Sequence, residues 1–206
     1  MERSTAIFEV WLGLFAVLAC IWFGGWPFDA VLVLVGFGLA FEWVRLSGRP
    51  VLGWPEIALL AAVPLALLAV VFGLAPIGFA ILLAGALAAL LTPGTGRMVA
   101  LGLIYVGLGC LALVWLRADS AAGRGNLFFL LVLIWASDIG AYLTGRAIGG
   151  RRLAPLISPG KTWSGAIGGL VSAILVSGIL AFAIETPASV LYLIAISAIL
   201  GIVAQA

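Results

Sequence analysis

Apolar residues run along this chain in long blocks with few interruptions, and short breaks of Gly, Pro and Arg separate the blocks. Read as helices, the blocks predict about eight spans, at 7–23, 28–45, 56–73, 76–91, 98–116, 127–145, 165–184 and 188–204. Each is close to the roughly 20 residues that carry a helix across about 30 Å of hydrocarbon. The 56–91 stretch admits two readings: two short spans turning at Leu74-Ala75-Pro76, or one span with a re-entrant piece. Residues 7–23 have the length of a signal-peptide core. More such blocks follow, and the block ends in the turn Gly24-Gly25-Trp26-Pro27, so it reads as the first span.

Composition agrees. Of 206 residues, 65% are hydrophobic and 9% charged, and the mean hydropathy is +1.33. A soluble chain carries about a quarter of its residues charged, so the expected class is an all-α polytopic transmembrane bundle forming one domain over 1–206.

Charge placement tests the span count. With eight spans and the N-terminus inside, Arg3, Arg45, Arg49, Arg97, Arg146, Arg151, Arg152 and Lys161 fall on the cytoplasmic side. Only Arg117 and Arg124 fall outside. This is the bias of the positive-inside rule, and one span fewer before Leu91 would spoil it. Trp22, Trp26, Trp43, Trp54 and Trp115 lie near span ends, as aromatic belts do, and Glu42, Trp43 and Arg45 read as an interfacial anchor.

The chain has no histidine, which excludes His-based zinc sites and Ser-His-Asp catalysis. Cys20 and Cys110 sit inside apolar blocks without metal or redox spacing and read as packing residues. Pro64 suggests a kink and Pro187 a helix start.

Two polar features remain. Asp138 lies within the sixth span, where an ionised carboxylate is costly unless paired, hydrated or bound to a cation. Asp138, Tyr142 and Arg146 are spaced four apart, so a helix sets carboxylate, phenol and guanidinium on one stripe. That stripe fits either a structural pairing or a ligand, metal or proton site.

The second feature is the loop 146–164, which holds Arg146, Arg151, Arg152 and Lys161. Within Ser158-Pro159-Gly160-Lys161-Thr162-Trp163-Ser164-Gly165, an N-cap or short helical turn is expected at Ser158, and Gly160 permits close backbone approach. The hydroxyls of Ser158 and Thr162 and the ammonium of Lys161 can together hold phosphate oxygens. A Walker A loop is disfavoured, because Leu156 stands where its first glycine belongs. A topogenic flank charge is the competing reading of Lys161, and Arg151 and Arg152 fit either anionic headgroups or topology alone. Gly165, Gly168 and Gly169 make a small face suited to close helix packing.

Together, Trp135-Ala136-Ser137-Asp138-Ile139-Gly140-Ala141-Tyr142, Gly145-Arg146, Ser158-Pro159-Gly160-Lys161-Thr162-Trp163-Ser164-Gly165 and Gly168-Gly169 resemble the bacterial phosphatidate cytidylyltransferase family, also called CDP-diacylglycerol synthase. The resemblance implies transfer of a cytidylyl group from CTP to phosphatidic acid with release of pyrophosphate, in phospholipid biosynthesis at the bacterial inner or plasma membrane. It implies Mg2+ as cofactor, and CTP, phosphatidic acid and membrane lipids as partners, with a homodimer left open and no nucleic acid. Asp138 and Lys161 would be catalytic, Asp138 as a metal ligand. Ser158, Gly160, Thr162, Arg146 and Tyr142 would bind substrate phosphate.

Two departures matter. Many members carry an acidic residue where this chain has Ser164. The family's acidic C-terminal motif, rich in Gly, Asp, Lys and Arg, would begin where this sequence stops, so the chain is expected to be the N-terminal and central part of a longer enzyme. Mg-assisted attack on a nucleotide phosphate needs several carboxylates, and Asp138 alone is too few. Competing readings are another phospholipid- or prenyl-handling transferase, a transporter with a cation or proton site at Asp138, and a fragment or degenerate protein that folds without catalysing.

Overall fold

A computed structural model of the chain describes residues 13, 15–46, 53–94, 96–118, 122–156, 158–183 and 190–205. Arg3, Arg49, Pro187 and Ala206 lie outside the described residues, as do positions 7–12 and 14 of the first expected span.

The chain is an all-α polytopic membrane protein with one small hairpin. Among the described residues, five helices are long and apolar enough to cross a bilayer: Gly25–Leu46, Trp54–Val71, Gly96–Ala118, Gly123–Ile148 and Trp163–Leu180. Ala75–Leu90 and Val190–Gln205 are apolar helices of 16 residues each. Such helices rise about 24 Å, and hydrocarbon leaves an apolar backbone no other way to satisfy its N–H and C=O groups. The described residues divide into two compact units, Met1–Arg124 and Gly125–Ala206.

The first unit holds helical residues 15–23, then α1 (Gly25–Leu46), α2 (Trp54–Val71), α3 (Ala75–Leu90) and α4 (Gly96–Ala118). Gly24 and Gly25, at φ 66° and 59°, break the chain before α1. Arg117 lies against Gly24, and its guanidinium donates to Ile21 O at 3.0 Å and Trp22 O at 3.4 Å. A cation is thereby held at the carbonyl end of a helix, where the dipole favours it.

The 56–91 stretch is two helices joined by a tight turn. Gly73, at φ 80°, donates to Val70 O at 2.9 Å, and Leu74 donates to Ala69 O at 2.8 Å. This is a Schellman motif, which needs a residue free to adopt positive φ. Pro55 and Pro76 sit in first turns, where a missing N–H costs nothing. Pro64 lies within α2, and the helix continues through it.

The core of this unit is aliphatic: Leu59, Val63, Leu67 and Leu103 are fully buried. Trp43 does more than mark an interface. Its Nε1 donates to Met98 O at 2.9 Å, its ring lies on Gly102, and its centroid is 5.8 Å from that of Tyr105. It therefore ties α1 to α4. The exposed Glu42–Arg45 pair, at 3.3 Å, spans one helical turn.

The second unit holds α5 (Gly123–Ile148) from Gly125 onward, the strands β1 (Arg152–Ala154) and β2 (Ser158–Thr162), α6 (Trp163–Ala183) and α7 (Val190–Gln205). The segment expected as a loop is thus an antiparallel hairpin, with Arg152 opposite Thr162 and Ala154 opposite Ser158. The hairpin continues through Trp163 N, which donates to Arg151 O at 3.1 Å. Ser158 stands in a strand rather than at a helix start; Pro159 is tolerated because a two-stranded ribbon leaves one edge of each strand unpaired.

Glycine decides how closely α5 and α6 pack. A Cβ on Gly168 would collide with Thr144, and one on Gly140 would collide with Ser172. Gly145 and Gly165 meet backbone to backbone, a Cβ on Gly165 falling 2.9 Å from Ala141 O. Without a hydrophobic drive between helices in lipid, such close approach is what holds them together. Gly165 and Gly168 act in the packing role expected of the small face.

Candidate phosphate site

The end of α5, the hairpin and the first turn of α6 surround an open pocket of about 450 Å³. From α5 come Asp138, Ala141, Tyr142, Gly145 and Arg146, the successive members of one helical stripe. Arg152 and Gly160 to Thr162 contribute from the hairpin, and Gly165 and Ala166 from α6. Asp138, Tyr142, Arg146, Gly160, Lys161 and Thr162, all singled out in the sequence, thus line a single pocket. Ser158, at the opposite end of β2 from Thr162, is not among the residues lining it.

Among the described lining residues, Arg146, Arg152 and Lys161 are cationic and Asp138 is anionic. Asp138 is exposed rather than enclosed, and it lines the pocket. Tyr142 OH accepts a 2.8 Å hydrogen bond from Arg146 Nη1, one turn along α5. The phenol thereby steers the guanidinium along the stripe. Arg152, left in the sequence between headgroup contact and topology, lines the pocket because the strand register sets it opposite Thr162. Nothing in one sequence announces that register.

Thr162 is the N-cap of α6. Its Oγ1 accepts from Gly165 N at 3.1 Å and shares a 3.0 Å hydrogen bond with Ser164 Oγ. With helix α6 beginning here, the positive end of its dipole faces the pocket rim, which favours bound anions. Ser164 Oγ also donates to Gly149 O, and Thr144 Oγ1 donates to Ser164 O at 3.2 Å and Gly140 O at 2.7 Å. Ser164 therefore fastens the end of α5 to the start of α6. An ionised carboxylate in its place would have no proton to donate.

Gly149 and Gly150 turn the chain from α5 into the hairpin at φ 65° and 106°, a conformation that side-chain-bearing residues rarely adopt. Gly160 has open space where a Cβ would stand, so the backbone at this position borders the cavity directly.

The cytidylyltransferase family model matches residues 4–206, almost the whole chain. The chain belongs to the cytidylyltransferase family. It is 39% identical over 161 residues to the phosphatidate cytidylyltransferase of Brucella suis, a match covering 74% of this chain and 58% of that protein. The phosphatidate cytidylyltransferase of Haemophilus influenzae is 53% identical over 59 residues, 29% of this chain and 20% of that protein. That of Bacillus subtilis is 34% identical over 107 residues, 52% of this chain and 40% of that protein. The chain thus spans less than two thirds of the length of the Brucella relative. The resemblance carried by the 135–169 motifs is a family relationship that extends over nearly all of the sequence.

Proposed function

We propose that the chain serves cytidylyl transfer from CTP to phosphatidic acid, giving CDP-diacylglycerol and pyrophosphate. The observation that carries this reading is the gathering of Lys161, Arg146 and Arg152 around one pocket at the start of α6. Cations at a helix N-terminus suit phosphate oxygens, and the named relatives are phosphatidate cytidylyltransferases.

In this reaction an oxygen of the lipid phosphate attacks the α-phosphorus of CTP, the new P–O bond forms, and the α–β P–O bond breaks with pyrophosphate leaving. Lys161 and Arg152, on adjacent strands, hold phosphate oxygens and offset the charge that builds as the two anions approach. Arg146, steered by Tyr142, takes the lipid phosphate. Gly160 lets phosphate approach the backbone, and Thr162 fixes the helix start that the anion faces. Ser158 supports β2 from outside the pocket.

Mg2+, implied by the family, would find Asp138 in the pocket. Among the described residues no group of three His, Cys, Asp or Glu side chains is placed to hold a metal ion. Asp138 would supply one oxygen ligand to such a cation, whose remaining positions water and substrate phosphates can fill, and the roles above are confined to phosphate contacts.

We further infer eight crossings with a cytoplasmic N-terminus, which sets the pocket on the cytoplasmic face of the bacterial inner membrane. The lopsided distribution of Arg and Lys supports this. The test is CTP-dependent pyrophosphate release by the full-length protein in vesicles, with phosphatidate and with polyprenyl phosphate as acceptors. Release with phosphatidate is expected. Release with polyprenyl phosphate alone would reassign the acceptor, and nucleotide-independent flux without release would overturn the reading.

A further inference from the structure

Ala166 borders two cavities. One is the cationic pocket; the other is an apolar groove of about 280 Å³. Trp163, Ile167 and Leu170 of α6 form one wall of the groove, lying at helical spacing on a single face. Gly201 and Ile202 of α7 form the other, and Leu153 of β1 closes the end nearest the hairpin. No ionisable residue is among its described lining residues. Trp163, Ile167 and Ile202 are more than half exposed in spite of their size. A Cβ on Gly201 would reach only ordinary packing distance, 3.4 Å, from Ala173 and Leu170. The floor of the groove is therefore low because a side chain is missing there.

A cationic pocket that meets an apolar groove at one small residue is complementary to an amphiphile with an anionic head and a hydrocarbon tail. A nucleotide accounts for the first surface and leaves the second without use. We propose that the groove seats an acyl chain of the lipid whose phosphate occupies the cationic pocket. Trp163, Ile167, Leu170 and Ile202 line the chain, and Gly201 sets how deeply it lies. The assignment rests on reading the pocket as a lipid-phosphate site.

The test uses the full-length protein in phosphatidylcholine vesicles containing a trace of phosphatidate with a photoreactive diazirine in one acyl chain. Diacylglycerol carrying the same chain is the control. After irradiation, peptide mass spectrometry locates the label. Phosphatidate is expected to label the Trp163–Leu170 and Gly201–Ile202 peptides about tenfold more than diacylglycerol does, as one charge-assisted headgroup contact allows. Lys161→Ala should remove that excess. Gly201→Leu should fill the floor and raise the KM ratio of dioleoyl to dihexanoyl phosphatidate about tenfold.

Equal labelling by the two probes would make the groove an ordinary lipid-facing surface and overturn the proposal. Absence of label from both peptides would mean that protein covers the groove, which overturns it as well. Preferential labelling by phosphatidate without any cytidylyl transfer would keep the groove and remove the transferase reading.

Discussion

Both compact units of this protein bring helices together at glycine, at Gly78 and Gly107 in the first and at Gly140 and Gly168 in the second, and they differ in what surrounds those contacts. In the first, bulky aliphatic side chains fill the space between helices, with Leu59, Val63, Leu67 and Leu103 fully buried. In the second, α5 and α6 approach by leaving side chains out, at Gly140, Gly145, Gly165 and Gly168. Filling space makes a stable scaffold that tolerates modest reshaping. Removing side chains exposes backbone, and it leaves room beside the contact for Asp138, Arg146 and Lys161. The pocket thus lies in the unit where α5 and α6 meet at glycine.

The sharpest separation of the two units is by activity. Lys161→Ala should lower cytidylyl transfer by about 10²–10³-fold, the usual loss when one donor to a developing charge is removed. The melting temperature in detergent should stay unchanged, and a parallel loss of melting temperature would turn Lys161 into a structural residue.

Gly168→Leu attacks the close approach directly. The added side chain meets Thr144, and about 3 kcal/mol of stability should be lost in a denaturant titration. Gly109→Ala, with open space around its site, is the control and should be neutral or stabilising by up to about 1 kcal/mol. In the first unit, Leu103→Ala leaves a void in a filled core and should cost about 2 kcal/mol, with activity per folded molecule retained. A loss of activity in the folded fraction would break the division between scaffold and site.

Smaller effects sharpen the same contrast. Thr162→Ala removes the cap of α6 and should cost about 1 kcal/mol, which Thr162→Ser restores; amide exchange at Gly165 reads the cap itself. Ser177 and Ser197 are buried, with hydroxyls that have no hydrogen-bond partner among the described residues. Replacing Ser177 by Ala should therefore leave stability within about 0.5 kcal/mol or raise it, since an unsatisfied polar group is removed. A larger loss would reveal a partner for the hydroxyl.

The sequence was a good guide to the helices and a poor one to what joins them. The blocks 28–45, 98–116 and 127–145 reappear as Gly25–Leu46, Gly96–Ala118 and Gly123–Ile148, because sustained apolarity has one structural solution in lipid. Asp138, Tyr142 and Arg146 were legible as a stripe because helical spacing alone aligns them. The hairpin was not legible. Its strands are three and five residues long, and the second contains Pro159 and Gly160, both poor strand formers. The capping role of Thr162 and the entry of Arg152 into the pocket follow from the hairpin's register, so they were hidden with it. Asp138 lines a cavity that α5 shares with the hairpin, and no linear pattern encodes that cavity.

The short tether between α5 and α6 also bears on the order of assembly. Ser164 reaches Gly149 across 15 residues and Thr144 reaches Ser164 across 20. Trp43 reaches Met98 across 55, and Arg117 reaches Ile21 across 96. Contacts of low sequence separation form fastest, and a membrane protein enters the bilayer from its N-terminus as it is synthesised. The scaffold of the first unit must wait for α4 to emerge before its long-range contacts can close. The pocket, made later, needs only its own neighbours and can close as soon as the first turns of α6 emerge.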